Sequence, residues 1–334
     1  MSRGAARALP SAVVMSASPA PSPNMQGAGN SEAELSNTER VLTSLAAGAV
    51  AGAAAKTTIA PLDRAKINFQ VSSMPYSARQ ALGFLVRTYR AEGLLSLWRG
   101  NSATMARIVP YAGIQFMSHE QWKRALGVDV GKDAKTDPRL RFLAGSLAGV
   151  TSQSLTYPLD LVRARMAITH KEQYSTLKQV FVKTWVEEGP RGFYRGYIPT
   201  VLGIIPYAGF SFFTYDTLKK LHREHMGKPS PNPLESMLFG ATAGVVGQSS
   251  SYPLDIVRRR MQTSSLTGNL YTTTAGTVRK IYVEEGILKG LFKGLSMNWV
   301  KGPVAVGISF TTYDHTRDFL RKILPRLHGS VTPC

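Results

Sequence analysis

Cysteine is all but absent from this 334-residue sequence, whose sole cysteine is the terminal Cys334. No internal disulfide can form, and no zinc-type Cys/His cluster is available. His222 and His225 stand three apart in a basic stretch with no third ligand, which reads as solvated charge and not as a metal site. There is no Gly-x-x-x-x-Gly-Lys-Ser/Thr loop and no nucleophile elbow, so an enzyme is not expected, nor a cofactor. Acids are scarce: twenty-one Asp and Glu face forty Lys and Arg, a net charge of +19. Such a balance calls for polyanionic partners, whether nucleic acid, anionic lipid or phosphorylated small molecules. Long apolar runs are few. The runs 142–159, 196–215 and 236–254 are uncharged over a membrane-spanning length.

What the chain has in abundance is repetition. The order Pro-Leu-Asp-x-x-base occurs at Pro61, Asp63 and Lys66, at Pro158, Asp160 and Arg163, and at Pro253, Asp255 and Arg258. These prolines lie 97 and 95 residues apart. Thirteen and nine residues before each stand two glycines, Gly48 and Gly52, Gly145 and Gly149, Gly240 and Gly244. That small-xxx-small spacing lets helices approach closely in a membrane. Thirty to thirty-two residues after each proline comes an acid-Gly pair, then an aromatic-base-Gly: Glu92 to Gly100, Glu188 to Gly196, Glu285 to Gly294. Further on come His119-Glu120-x-x-Lys123, Tyr215-Asp216-x-x-Lys219 and Tyr313-Asp314-x-x-Arg317. Four features in fixed order, three times over, make the length one pseudo-symmetric body. Its repeats occupy 37–130, 137–226 and 232–323, between an N-terminal tail, 1–36, and a C-terminal tail, 324–334.

The expected fold is all-α, with six membrane-spanning helices and three short surface helices. Helix 1 starts near Ser36 or Asn37, with Glu39 close behind, and runs to about Val71. A short amphipathic helix follows over 78–91, then a long helix over 102–126. Asp137 and Pro138 open helix 3, a surface helix lies near 175–187, and helix 4 covers 197–225. A 229–233 loop precedes helix 5, a third surface helix lies near 272–284, and helix 6 ends before Pro325. Single bases, Lys56, Arg107 and Lys301, interrupt the other three spans. A helix lining a water-filled cavity needs only its lipid face apolar, which separates this pattern from a soluble helical repeat and from a nucleic-acid binder. Residues 1–36 are rich in Ala, Ser, Pro and Gly and cannot bury a core. Arg3 and Arg7, with no acid before Glu32, mimic a transit peptide, but the prolines oppose an amphipathic helix and favour a disordered tail.

The threefold motif, Pro-x-acid-x-x-base followed by acid-Gly and aromatic-base-Gly, resembles the mitochondrial carriers over residues 37–323. The 98–105, 155–166 and 294–303 stretches look like the members of that family that carry coenzyme A. The resemblance implies an exchanger in the mitochondrial inner membrane, with both termini toward the intermembrane space. It is expected to act as a monomer among anionic lipid. The implied substrates are coenzyme A, dephospho-coenzyme A or adenosine 3',5'-bisphosphate against adenine nucleotides. The chain shows none of the calcium-binding loops that precede some carriers. On the matrix side the resemblance pairs Asp63 with Arg163, Asp160 with Arg258 and Asp255 with Lys66, braced by Gln70 and Gln262. Ala167 stands at the third brace position, which should weaken that gate. The opposite, cytoplasmic gate would use Glu120, Lys123, Asp216, Lys219, Asp314 and Arg317, with His119 in place of an aromatic.

A metabolite has no three-fold symmetry, so its site is sought where the repeats differ. Seven residues past each aromatic-base-Gly glycine stand Arg107, Gly203 and Lys301. Two cations and a glycine at one level suit phosphates and a flat group, and the family's contact points fall on them. Gly203 with Ile204 resembles the adenine-binding pair of nucleotide carriers. Five residues before each proline stand Lys56, Gln153 and Gln248. Lys56 is a further phosphate contact or snorkels to an interface. Tyr111 and Tyr207 stack on a base or pack between helices. Left unpaired in a membrane, these cations would be a burden without a multiply charged anion. Arg258, Arg259 and Arg260 resemble the ADP/ATP carriers' arginine run, but Met261-Gln262 stands where those carriers have three methionines. Simple ADP/ATP exchange therefore stands second, and a membrane scaffold on a carrier fold is the reading without transport.

Overall fold

The computed structural model describes residues 37–72, 74–128, 138–170, 172–227, 231–268 and 271–329. The expectations for 1–36, for Ser36 and Asp137, for 229 and 230 of the 229–233 loop and for 330–334 lie outside them. Among the described residues the regular structure is helical: α1 Asn37–Val71, α2 Ala78–Glu92, α3 Asn101–Ala125, α4 Pro138–Ile168, α5 Leu177–Gly192, α6 Tyr197–Met226, α7 Pro233–Thr267, α8 Thr274–Glu285 and α9 Leu295–Gly329. The long helices continue unbroken past the motif prolines, Pro61, Pro158 and Pro253. The last helix does not stop before Pro325 but continues to Gly329. A proline costs a helix only one backbone bond, and this close to the end little helix remains to lose.

Local chemistry sets the short helices. Each begins on a hydroxyl cap: Ser77 Oγ accepts from Gln80 N, Thr176 Oγ1 from Gln179 N and Thr273 Oγ1 from Gly276 N. The glycine of each acid-Gly pair then turns the chain at positive φ, with Gly93 at 82°, Gly189 at 66° and Gly286 at 78°. A 3-10 turn, Leu94–Trp98, follows the first. From acid-Gly to aromatic-base-Gly, repeat 3 is one residue longer than repeats 1 and 2, and a wider π turn, Ile287–Leu291, takes up the extra residue ahead of the helix that follows.

Two compact units divide the chain. The larger, Ala53–Arg107 and Thr156–Ile308, holds all three Pro-Leu-Asp motifs and the three short helices. Three apolar clusters hold its short helices. Ala81 of α2 packs with Ala65, Phe69 and Met297, and Val180 of α5 with Ala103, Val162, Met166 and Tyr174. Ile281 of α8, fully buried, packs with Tyr252, Ile256, Val257 and Met261. Burying one such isoleucine is worth about 2 kcal/mol. In the same unit two of the aromatic-base-Gly glycines, Gly100 and Gly196, approach the backbone of the next repeat's motif helix, whereas Gly294 meets only the Tyr252 and Tyr76 side chains. A Cβ on Gly100 (φ 84°) would lie 2.9 Å from the Arg163 carbonyl oxygen, and one on Gly196 (φ 78°) 2.8 Å from that of Arg258. Gly196→Ala should therefore destabilise by about 2 kcal/mol or more, combining a left-handed alanine with a backbone clash. Thermal unfolding in detergent checks this; a variant melting within about 1 °C of the parent would refute the close approach.

The smaller unit, Met1–Gly52, Ile108–Leu155 and Ser309–Cys334, packs Tyr313 on Ala47 and Ala51. In it Trp122 Nε1 donates to Thr151 Oγ1 at 3.1 Å. Among the described residues, two helical stretches are long and apolar enough by composition to cross a membrane, Leu42–Val71 and Tyr197–Met226. The uncharged runs at 142–159 and 236–254 do not qualify, because Ser, Thr, Gln and Gly dilute them. Large apolar side chains nevertheless lie open: Val109, Phe116, Ile205, Phe213 and Val300 are each more than 60% exposed.

Candidate functional site: a ring of ion pairs and its neighbouring cations

In the larger unit the three motif carboxylates do not pair with the bases one turn along their own helices. Each pairs with a base from another repeat. Asp63 on α1 accepts from Arg163 on α4, Asp160 on α4 from Arg258 on α7, and Asp255 on α7 from Lys66 on α1 at 3.0 Å. The three pairs close a ring through the three motif helices. Asp63 and Asp160 are buried, Asp160 almost completely, and Asp255 is half-buried. Buried ion pairs recover their desolvation cost only when further hydrogen bonds satisfy them.

The glutamines supply such bonds at two junctions. Gln70 Nε2 donates to Asp255 Oδ2 at 3.1 Å and to the Tyr252 hydroxyl at 3.2 Å. Gln262 Nε2 donates to Asp160 Oδ2 at 2.9 Å and to the Tyr157 hydroxyl at 3.0 Å. The tyrosines donate onward, Tyr157 to the Arg195 carbonyl and Tyr252 to that of Lys293. Sequence reasoning missed both, although each directly precedes its motif proline where repeat 1 has Ala60. It missed Arg259 too, whose Nη1 reaches Asp160 Oδ2 at 3.4 Å and Gln262 Oε1 at 2.9 Å.

The cations sought as a substrate site stand against this ring. Lys301 Nζ donates to Asp63 Oδ1 at 2.6 Å. Arg107 Nε donates to Thr156 Oγ1 at 3.1 Å, and its Nη1 lies 3.8 Å from Asp160 Oδ1. The expectation of unpaired cations is therefore corrected for both, because the outward oxygens of two ring carboxylates lie within their reach. Lys56, half-buried on α1, has Lys301, Asp63, Arg163 and Arg107 as electrostatic neighbours. Gly203, Ile204 and Tyr207 are half-buried on α6, and a Cβ on Gly203 would touch Leu254 at an ordinary 3.7 Å. Ser250 Oγ donates to the Pro206 carbonyl at 3.1 Å, drawing α6 against α7 there.

A second tier of links joins the motif helices to the acid-Gly glutamates. Arg165 pairs with Glu188 at 2.5 Å and donates to the Gln262 carbonyl at 3.1 Å. Arg260 pairs with Glu285 at 2.6 Å and donates to the Gln70 carbonyl at 3.0 Å. Repeat 1 has Asn68 at that position, and Arg64, one turn earlier, takes over: it pairs with Glu92 at 3.4 Å and donates to the Ala167 carbonyl at 3.3 Å. Arg195 and Lys293 also hold the glutamates of repeats 2 and 3, whereas Glu92 takes His170. Burial alone would raise the Glu92 carboxyl, but its hydrogen bond with His170 and the charge of Arg64 hold it below its usual range. Glu188 is likewise lowered, Arg165 outweighing burial.

The profile of the family described as mitochondrial carrier protein matches residues 37–129, 135–226 and 229–324. The chain belongs to the mitochondrial carrier family. It is 60% identical over 288 residues to the mitochondrial coenzyme A transporter SLC25A42 of Xenopus tropicalis, covering 86% of this chain and 88% of that one. To its namesake in Homo sapiens it is 60% identical over 285 residues, covering 85% and 90%. Solute carrier family 25 member 16 of Homo sapiens is 40% identical over 298 residues, covering 83% and 88%.

In this carrier the residues expected at the other gate in repeats 1 and 3 form pairs within one helix. Lys123 Nζ reaches Glu120 Oε1 at 3.5 Å, and Arg317 Nη2 lies 3.6 Å from Asp314 Oδ1 and 3.2 Å from Asp318 Oδ1. Asp216 is exposed and Lys219 half-buried on α6. His119 is half-buried on α3. Gln153 and Gln248 lie on α4 and α7, Gln153 buried. His222 is not the solvated charge expected: it is buried against Phe239, with Nε2 3.5 Å from Glu235 Oε2, because α7 begins beside the end of α6.

Proposed function

We propose that this carrier exchanges coenzyme A, dephospho-coenzyme A or adenosine 3',5'-bisphosphate for adenine nucleotides across the mitochondrial inner membrane by alternating access. The observation that carries the reading is the charge imbalance at the ring. Lys56, Lys66, Arg107, Arg163, Arg258, Arg259 and Lys301 face three carboxylates, an excess of four positive charges. A 3'-phosphate and a pyrophosphate together bring about four negative charges at neutral pH. Each cation within about 4 Å of a phosphate gives roughly 4 kcal/mol at an effective dielectric near 20. In this reading Arg107, Lys301 and Lys56 take phosphates, and Gly203 and Ile204 take the adenine with Tyr207 beside it. The ring is the matrix gate. Glu120, Lys123, Asp216, Lys219, Asp314 and Arg317 serve the cytoplasmic one, and both termini face the intermembrane space. The names of the SLC25A42 relatives point to the same substrate. The Arg258-Arg259-Arg260 run favours a second reading, an ADP/ATP carrier.

Uptake of labelled coenzyme A by liposomes containing the protein, preloaded with ADP or empty, tests this. The expected result is uptake into loaded liposomes only, blocked by dephospho-coenzyme A and adenosine 3',5'-bisphosphate. Uptake of ADP without competition from coenzyme A would overturn the substrate and leave the fold and the ring standing.

A further inference from the structure

Two of the ring's junctions are braced by a glutamine nine residues past the motif proline. The third, Asp63 with Arg163, has Ala167 at that position. There the carboxylate's other oxygen takes a lysine, Lys301 Nζ on Asp63 Oδ1 at 2.6 Å. The positions equivalent to Lys301 do less. Arg107 stays 3.8 Å from Asp160 Oδ1, and Gly203 has no side chain. We propose that Lys301 is the ring's third brace, replacing the missing amide. Since it rests on the reading above in which Lys301 also takes a phosphate, the junction between repeats 1 and 2 is the one that substrate itself unlocks.

The two glutamines cannot serve in this way. Their amides sit on the Oδ2 side and are tied to tyrosine hydroxyls as well. Lys301 comes from α9, approaches the opposite oxygen and keeps 19% of its side chain exposed, so an anion can reach it. A ligand moves a two-state equilibrium only by binding one state better than the other. A cation shared between a gate carboxylate and the ligand supplies that difference, because occupying it removes a charged hydrogen bond from the closed ring alone.

The test is a double-mutant cycle on the full-length protein in detergent without ligand, crossing Ala167→Gln with Lys301→Ala. Alone, Ala167→Gln is expected to raise the melting temperature, and Lys301→Ala to lower it by about 3 °C. In the Ala167→Gln background the loss on removing Lys301 should shrink by half or more; equal losses in both backgrounds would overturn the brace. In ADP-loaded liposomes Ala167→Gln is expected to slow coenzyme A exchange about fivefold with KM unchanged, since one amide-carboxylate bond now persists that substrate cannot take. Unchanged turnover would overturn the unlocking step. Should Ala167→Gln not accumulate, Lys301→Ala is compared with Arg107→Ala. Lys301→Ala must melt lower, because Asp160 keeps Arg258, Arg259 and Gln262; the reverse order would overturn the proposal. The melting arms involve no substrate, so a wrong substrate assignment shows as coupled melting without coenzyme A uptake.

Discussion

Arg107→Ala is expected to reduce coenzyme A uptake by proteoliposomes about a thousandfold while leaving the protein folded. Arg107 is loosely tied to the ring. Its guanidinium is 3.8 Å from Asp160 Oδ1, whereas Arg258, Arg259 and Gln262 all hold Oδ2. Removing it leaves the carboxylate with three partners and the Thr156 hydroxyl short of one, a loss of about 1 kcal/mol. The same deletion takes a full charge from the anion's side, worth roughly 4 kcal/mol at an effective dielectric near 20. The large effect should therefore fall on transport and the small one on melting. Arg107→Lys, keeping the charge without the fork, is expected between the two. Uptake by Arg107→Ala at the parent's rate would remove Arg107 from the binding site.

The separation is possible because the repeats are alike where the fold needs them and unlike where the site does. That is also why some of the structure was legible in the sequence and some was not. The motif prolines put Asp63, Asp160 and Asp255 in equivalent places, and which base each takes was an expectation from the family resemblance, not from the spacing. The acid-Gly pairs marked where α2 and α8 end, because a glycine at positive φ stops a helix whatever packs around it. Illegible were the contacts that depend on reach. Arg64 stands in for Asn68 from one turn away, a substitution that register alone conceals, since it needs a long side chain and a carbonyl within its reach at Ala167. Lys301 and Arg107 were read as ligand contacts from the broken symmetry. That each also faces a ring carboxylate follows from how α9 and α3 lean on α1 and α4, which no spacing encodes. His222 looked solvated in a basic stretch because its partners, Glu235 and Phe239, come from the next helix.

The uneven loading of the carboxylates gives the last expectation. Asp160 receives Arg258, Arg259 and Gln262 on one oxygen and faces Arg107 on the other, at 1% exposure. Asp255 receives only Lys66 and Gln70 as hydrogen-bond donors among the described residues. Asp160→Asn therefore strands three guanidiniums around a neutral amide, and Asp255→Asn strands one ammonium. Breaking a buried pair by removing one partner costs about 3–5 kcal/mol, and the repulsion among three like charges puts Asp160→Asn at the upper end. Asp160→Asn should melt well below Asp255→Asn, and both should impair exchange, measured as uptake into ADP-loaded against empty liposomes. If the cause is surplus charge, Arg259→Leu, which takes out the guanidinium closest to superfluous at that junction, should restore much of the lost melting temperature of Asp160→Asn. In the native background the same change should cost stability, because Asp160 and Gln262 Oε1 then lose a donor. A charge imbalance alone reverses the sign of one substitution between two backgrounds. Arg259→Leu acting alike in both would mean that the ring is held by shape and not by charge.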